Sequence, residues 1–232
     1  MPQKVIDLSL EIDNNMHVHP LLQSPVVLPY MTHENTREVG FGTADDPITG
    51  AMHYISMLDS TGTHVDGFFH NDPEGLTVDR MPLDMFFGKA VCLDLKHIPD
   101  FGVIDVAELE QAEVEAGVRI DGHITLLNTG LHARHWPNIE AATNQPRVTA
   151  NATKWLHDRG SKVHGVEGPS TDPSTDTLFE SHRACRDLGI THYEWLVNLE
   201  QLVGKGVFTF FGVPLKIKGG PSAPVRAFAV LD

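Results

Sequence analysis

Apolar and polar residues alternate loosely over Val5–Ile12, a two-residue period that predicts a first strand, and a polar stretch follows up to Pro20. From Leu21 to Pro47 neither a strand nor a helix period is sustained, so this region is expected to be an irregular functional loop or arm. Ala51–Leu58 reads as a strand leading into Ser60–Asp72. Lys89–Leu95 (KAVCLDL) predicts a short apolar strand, and Val106–Glu115 an acidic, Ala-containing helix stopped by Gly117. Ile124–Asn128 follows as a buried strand, then Thr149–Arg159 as a helix with Thr149 or Asn151 as N-cap and Gly160 as its stop. Val163–Val166 returns to strand, and Thr177–Leu188 is helical up to Gly189. Val197–Leu202 is short and apolar, and Gly206–Phe211 and Val225–Val230 close the chain as strands.

Strands and helices alternate mainly in the middle, while the ends are strand-rich. This predicts an α/β fold with a mixed β-sheet and packed helices rather than a regular barrel. With no internal repeat, low-complexity run or linker, the 232 residues are expected to form one domain, 1–232.

Composition narrows the function classes. A formal net charge of −14 repels a phosphate backbone, which argues against nucleic acid as a partner. No apolar run approaches the roughly 20 residues of a membrane span, so no membrane association is expected. The start MPQKVIDLSLEID has neither a basic n-region nor an apolar h-region, and a cytoplasmic location is the expectation. Cys92 and Cys185 lie far apart, belong to no C-x-x-C pair and read as packed thiols.

The unusual number is 14 histidines. Three groups able to bind a metal or move a proton crowd into Ser60-Thr-Gly-Thr-His-Val-Asp-Gly-Phe-Phe-His70. On an extended segment His64 and Asp66, at i and i+2, project to one face and can reach one ion. Imidazole and carboxylate together suit Zn²⁺ or a similar ion such as Mn²⁺, with room left for water. His70, beside the ligands but not bound, would act as general base and then acid. Spacing alone also permits a surface turn in which the same groups bond backbone. Phe68 and Phe69 line an apolar pocket for a planar substrate ring, or pack in the core. His17 and His19 form an H-x-H that reads as a solvated loop. His97, His123, His132, His135, His157, His164 and His192 match no ligand pattern and are expected to be exposed or hydrogen-bonded.

The Ser60–His70 stretch resembles the signature H-x-G-T-H-x-D-x-P-x-H of the metal-dependent cyclase family, which includes bacterial kynurenine formamidases, isatin hydrolases and some lactone hydrolases. The resemblance extends to Asp7-Leu8-Ser9 with Asn15-Met16 and Pro20, to Gly168-Pro-Ser-Thr-Asp-Pro173, and to Lys216–Gly220 with Ser222-Ala-Pro-Val-Arg226. It implies that His64 and Asp66 bind metal together with the late His182 and Glu194, in a site of one or two ions, and that His70 transfers protons. It further implies a swivelling β/α/β fold, a homodimer or homotetramer, and hydrolysis of a small-molecule amide such as an aryl formamide or isatin, with a lactone as the competing substrate. Two positions depart from the signature: its leading histidine falls on Ser60 and its proline on Phe68. Serine is a poor divalent ligand. Ser60 is therefore an additional site contact at most, compensated by Asp59, His53, His17, His19 or His33, or it marks a homologue that binds a small ligand without turning it over.

Overall fold

Thirteen strands and six helices lie among the described residues, which in this computed structural model are 3–14, 16, 19, 22–43, 45–46, 48–173 and 175–231. In chain order the first strands are β1 (Lys4–Asp7), β2 (Val26–Met31), β3 (Met52–Ser56) and β4 (His64–Asp66), with helix α1 (His33–Val39) between β2 and β3. The middle of the chain runs β5 (Phe87–Asp94), β6 (Val103–Ile104), α2 (Val106–Ala116), β7 (Ile124–Asn128), α3 (Leu131–His135), α4 (Ile139–Ala142), β8 (Arg147–Val148), α5 (Ala150–Asp158), β9 (Val163–Val166) and α6 (Glu180–Leu188). It closes with β10 (Thr191–Glu194), β11 (Phe208–Phe211), β12 (Ser222–Pro224) and β13 (Phe228–Leu231).

Nine strands form one sheet in the order β1-β13-β11-β5-β7-β9-β10-β4-β12. Its centre, β5-β7-β9-β10, is parallel, and the strands flanking it on both sides are antiparallel. Parallel strands are covered on both faces, and the side chains divide accordingly. Ala90, Cys92 and Leu126 join one core cluster with Tyr193, Phe208 and Phe210, whereas Val91, Leu93 and Leu127 join another with Leu109, Trp155, Leu156 and Cys185. Helices α2, α5 and α6 supply the second cluster. Asp105 caps α2 in a box with Glu108, and Thr149, the first of the two expected caps, caps α5.

The sheet must curl. Strands β12 and β13 are separated by three residues yet lie seven places apart in the sheet order. A flat sheet would set them roughly 34 Å apart at about 4.8 Å per strand, while the connecting chain spans at most about 14 Å. The edges therefore approach each other: the Leu8 amide donates to the Ala227 carbonyl at 2.9 Å, and Ser9 bridges Leu196. The opening and closing segments meet there, with the Arg226 Nε donating to Asp7 at 2.9 Å and the Ala227 amide to the Ser9 hydroxyl at 2.7 Å. These end segments hold the sheet's seam.

Several expectations need correction. Leu21–Pro47 is not irregular throughout: β2 pairs with β3 as a separate two-stranded ribbon, and Thr32 and Asn35 form a capping box for α1, which ends at Gly40 in the left-handed region. The ribbon buries neither face, so its sequence shows no period. The first strand stops at Asp7, because Ser9 spends its hydroxyl on Ala227. Of Val225–Val230 only Phe228–Val230 is strand, in β13, because Val225–Ala227 form the connection at the seam, and Val197–Leu202 contains only a 3-10 turn, Leu199–Gln201. The last long helix begins at Glu180, after Phe179 takes a left-handed backbone (φ 50°). Both cysteines are free and buried, as expected. No described helix is long and apolar enough to cross a membrane.

Candidate metal centre

The centre is built by one antiparallel register. Strand β4 lies between β10 and β12, with His64 opposite Glu194, Val65 opposite Tyr193 and Ser222 opposite Asp66. Because side chains alternate across a strand, Val65 and Tyr193 enter the core while His64, Asp66, His192 and Glu194 share the other face. Cross-strand neighbours stand about 5 Å apart at Cβ. That distance brings the His64 Nε2 to 3.3 Å from Glu194 Oε2 and 3.6 Å from Asp66 Oδ1. His192 Nε2 lies 3.1 Å from Glu194 Oε1 and 3.4 Å from Asp66 Oδ2.

Helix α6 adds His182 from above. Asp172, in the Gly168–Pro173 loop, accepts from the Ser181 and His182 amides at 3.0 and 3.1 Å and from His182 Nδ1 at 2.6 Å. One carboxylate thus satisfies the start of α6 and fixes the imidazole so that Nε2 faces the centre, the arrangement in which a carboxylate orients a metal-binding histidine. His64 is held likewise, its Nδ1 2.8 Å from the Gly62 carbonyl. Gly62 makes that contact from a left-handed turn (φ 67°).

His70 follows β4 on a 3-10 turn, Phe68–His70, and its Nε2 stands 3.8 Å from Asp66 Oδ2. Its side chain is 38% exposed, against 3% for His64, so it alone of the four imidazoles reaches solvent. The turn also redirects the phenylalanines. Phe68 packs on the core, one of its two expected roles, and Phe69 is exposed; neither lines the cavity over the centre.

That cavity has a volume of about 380 Å³ and is walled by Phe179, Trp195, Pro169, Pro173 and Leu22, with Ser60, His19 and Gln145 at its polar margin. Phe179 meets His182 edge-on at 5.7 Å. Trp195, directly after Glu194, is buried with a left-handed backbone (φ 55°). A bulky residue in that region is strained, and such strain persists where surrounding contacts fix it. Here the Trp195 amide donates to the Gly168 carbonyl at 2.9 Å, and its carbonyl accepts from Thr63 Oγ1, which in turn accepts from the Leu10 amide.

Charge explains what the cluster is suited to hold. Burial opposes a charged His64, yet the Glu194 and Asp66 carboxylates outweigh it and push the imidazole up to about 9. Burial likewise opposes a charged His182, and Asp172, Glu194 and Asp66 overcome it. Burial would raise Glu194, but His192 and His64 hold it well below the usual carboxylate range. Two buried carboxylates therefore draw positive charge into this space, and a divalent cation supplies that charge directly. Asp66 Oδ1 is buried without a hydrogen-bond partner, an acceptor left open for such an ion.

Of the residues expected from sequence, His64, Asp66, His182 and Glu194 converge, His70 lies beside them and Ser60 lines the cavity. Among the groups considered as partners for Ser60, His19 also lines the cavity. His53 sits exposed on the β3 ribbon, His33 pairs with Thr49, and His17 lies outside the described residues. Sequence reasoning missed Asp172 and His192. His192 is buried and hydrogen-bonded, its Nε2 3.1 Å from Glu194 Oε1, within what was expected; His164 is buried with no partner for either ring nitrogen, contrary to it.

A curled α/β sheet thus carries a buried carboxylate–imidazole cluster beside a small cavity, a donor set of the class that suits a divalent cation. Comparison with known proteins agrees. A family model described as "Putative cyclase" matches residues 6–173, and the chain belongs to that family. It is 32% identical over 181 residues to a kynurenine formamidase of Salinibacter ruber, covering 75% of this chain and 76% of that one. The fold is that of isatin hydrolase A from Labrenzia aggregata, solved with benzyl benzoate bound (TM-score 0.81, 22% identity, 99% of this chain and 94% of that one). It is also that of a structure described as a predicted metal-dependent hydrolase from Bacillus stearothermophilus (TM-score 0.74, 20% identity, 99% of each chain).

Proposed function

We propose that the protein is a metal-dependent amidohydrolase that cleaves a non-peptide C–N bond in a small aryl amide, either an aryl formamide such as N-formylkynurenine or a cyclic amide such as isatin. One observation carries this reading: two buried carboxylates, Asp66 and Glu194, and two buried imidazoles, His64 and His182, line an aromatic-walled cavity, with the buried His192 against the same carboxylates. The family relatives supply the bond type, and the cavity's 380 Å³ suits a one- or two-ring substrate, at the lower end of the roughly 300–1,000 Å³ range of small-molecule sites.

His64, Asp66, His182 and Glu194 would hold the metal, with each carboxylate presenting one oxygen to either side. A bound divalent ion, Zn²⁺ or Mn²⁺ in one or two copies, supplies Lewis acidity toward the carbonyl oxygen and acidifies water. His70 accepts the proton from the attacking water and delivers it to the departing nitrogen as the C–N bond breaks. Its partial exposure lets it re-equilibrate with solvent between turnovers. Phe179 and Trp195 flank the substrate ring, and Asp172 keeps His182 in its working orientation.

Convergence of the donor set speaks against reading Ser60 as the mark of a lost site. Leu28, Tyr30, Met52, Tyr54 and Ile55 leave the β2–β3 ribbon with an exposed apolar surface, which supports a homodimer or homotetramer. A cytoplasmic location remains the expectation for an enzyme of small metabolites. The test is turnover by the Zn²⁺- or Mn²⁺-loaded protein of N-formylkynurenine, isatin and an aryl lactone. Cleavage of one of the amides is expected. Cleavage of the lactone alone would move the protein to the competing substrate class, and a metal-replete protein inactive on all three would contradict the proposal.

A further inference from the structure

The carboxylate pair divides the floor of the centre into two unequal halves. Asp66 Oδ1 and Glu194 Oε2 face His64, and Ser60, four positions before His64 in sequence, stands where the family signature has an imidazole. Asp66 Oδ2 and Glu194 Oε1 face His192, and His182 lies on the same side. One donor atom from each of Asp66, His182, His192 and Glu194 lies within 4.8 Å of all the others. Ligands bound tetrahedrally at about 2.0–2.2 Å stand roughly 3.4 Å from one another. His192 Nε2 meets that spacing, at 3.4 Å from Asp66 and 3.1 Å from Glu194. The His182 and His192 rings are perpendicular, 88° apart with centroids 4.9 Å from each other, so the two edges can aim at one point without overlap.

The other edge of His192 has its own partner. Nδ1 lies 3.7 Å from Cys185 Sγ, a contact that a proton on Nδ1 can satisfy once Nε2 gives its lone pair to a cation held by the carboxylates. His192 is only 1% exposed and reaches no solvent from this position.

Resting on the metal-hydrolase reading above, we propose that His192 is a metal ligand and that the first divalent ion is held by Asp66, His182, His192 and Glu194. This imidazole from β10 replaces the coordination lost at Ser60, and it moves the tightest site from the His64 half to the His182 half.

X-ray absorption of the protein carrying one equivalent of Zn²⁺ tests this when wild type is compared with His192→Leu. Two imidazoles and no sulfur per zinc are expected in the wild type and one imidazole in His192→Leu; two imidazoles retained in the variant, as His64 with His182 would give, would overturn the proposal. One imidazole in the wild type would overturn it by placing the ion with His64 or with His182 alone, and zinc–sulfur scattering would overturn it by placing the ion in the inner group His164, Cys185 and His192. His192→Leu, checked for native folding by circular dichroism, should lose more than about 100-fold in Zn²⁺ affinity, beyond the roughly 10–100-fold typical of an outer partner. A loss of about 100-fold or less, the size an outer partner gives or smaller, would overturn it. Both readouts need no substrate. A protein that binds zinc as described but hydrolyses no amide would therefore sink the proposed activity and leave the site standing.

Discussion

Strands β7 and β10 both run through the parallel centre of the sheet and are buried along their whole length, yet their sequences are opposites, ITLLN and THYE. In β7 the apolar residues feed both cores, Leu126 into one and Leu127 into the other. In β10 only Tyr193 does so, its hydroxyl donating to the Gly212 carbonyl at 2.9 Å, while His192 and Glu194 turn a charged face into a closed space. Burying an unpaired carboxylate costs several kcal/mol, and β10 meets that cost with imidazoles rather than with solvent. Burial alone therefore does not distinguish scaffold from site. A buried strand face made of titratable groups does.

Substitutions sharpen this contrast. On β10, Glu194→Gln removes a carboxylate from the centre and should lower kcat/KM by about 10³–10⁴-fold, corresponding to roughly 4–5 kcal/mol. Its denaturant midpoint without metal should fall little or rise; a variant that keeps wild-type turnover would erase the distinction between the strands. His70→Ala should cost about 10²–10⁴-fold in kcat, the usual contribution of a general acid–base group, with metal content retained. Loss of the metal instead would make His70 a ligand. On β7, Leu126→Ala should cost about 2–5 kcal/mol of stability in urea unfolding, while the folded fraction turns over normally. Asp172→Asn leaves His182 in place but weakens its orientation, and should reduce metal affinity by about 10–100-fold in a chelator competition. Arg226→Ala, at the exposed seam with Asp7, should change stability by less than about 1 kcal/mol and activity not at all.

How far the sequence announced this arrangement depended on what its periods report. The alternation in Thr-His-Val-Asp placed His64 and Asp66 on one face, because two-residue spacing is a property of the strand itself. The ribbon at Val26–Met31 and Met52–Ser56 was half legible: β3 was expected, but β2 packs against no core and has no reason to alternate. His182 and Glu194 became visible only through family resemblance, since a histidine in a helix and a glutamate in a strand carry no local mark. His192 stayed hidden for a related reason. THYE by itself reads as a strand with one wet face, and that face is closed by α6 and the Gly168–Pro173 loop, a tertiary event. Asp172 lay inside a recognised segment, yet its role arises from its reach to His182 and not from its neighbours in sequence.

The central claim is that the shared face of β4 and β10 grips a divalent cation. A crystal of the protein prepared with Mn²⁺ or Zn²⁺, measured at the metal's absorption edge, tests it most directly. An anomalous peak between the carboxylates of Asp66 and Glu194 is the predicted result. A metal-replete crystal with no peak there, or with its only peak remote from these two side chains, would contradict the account.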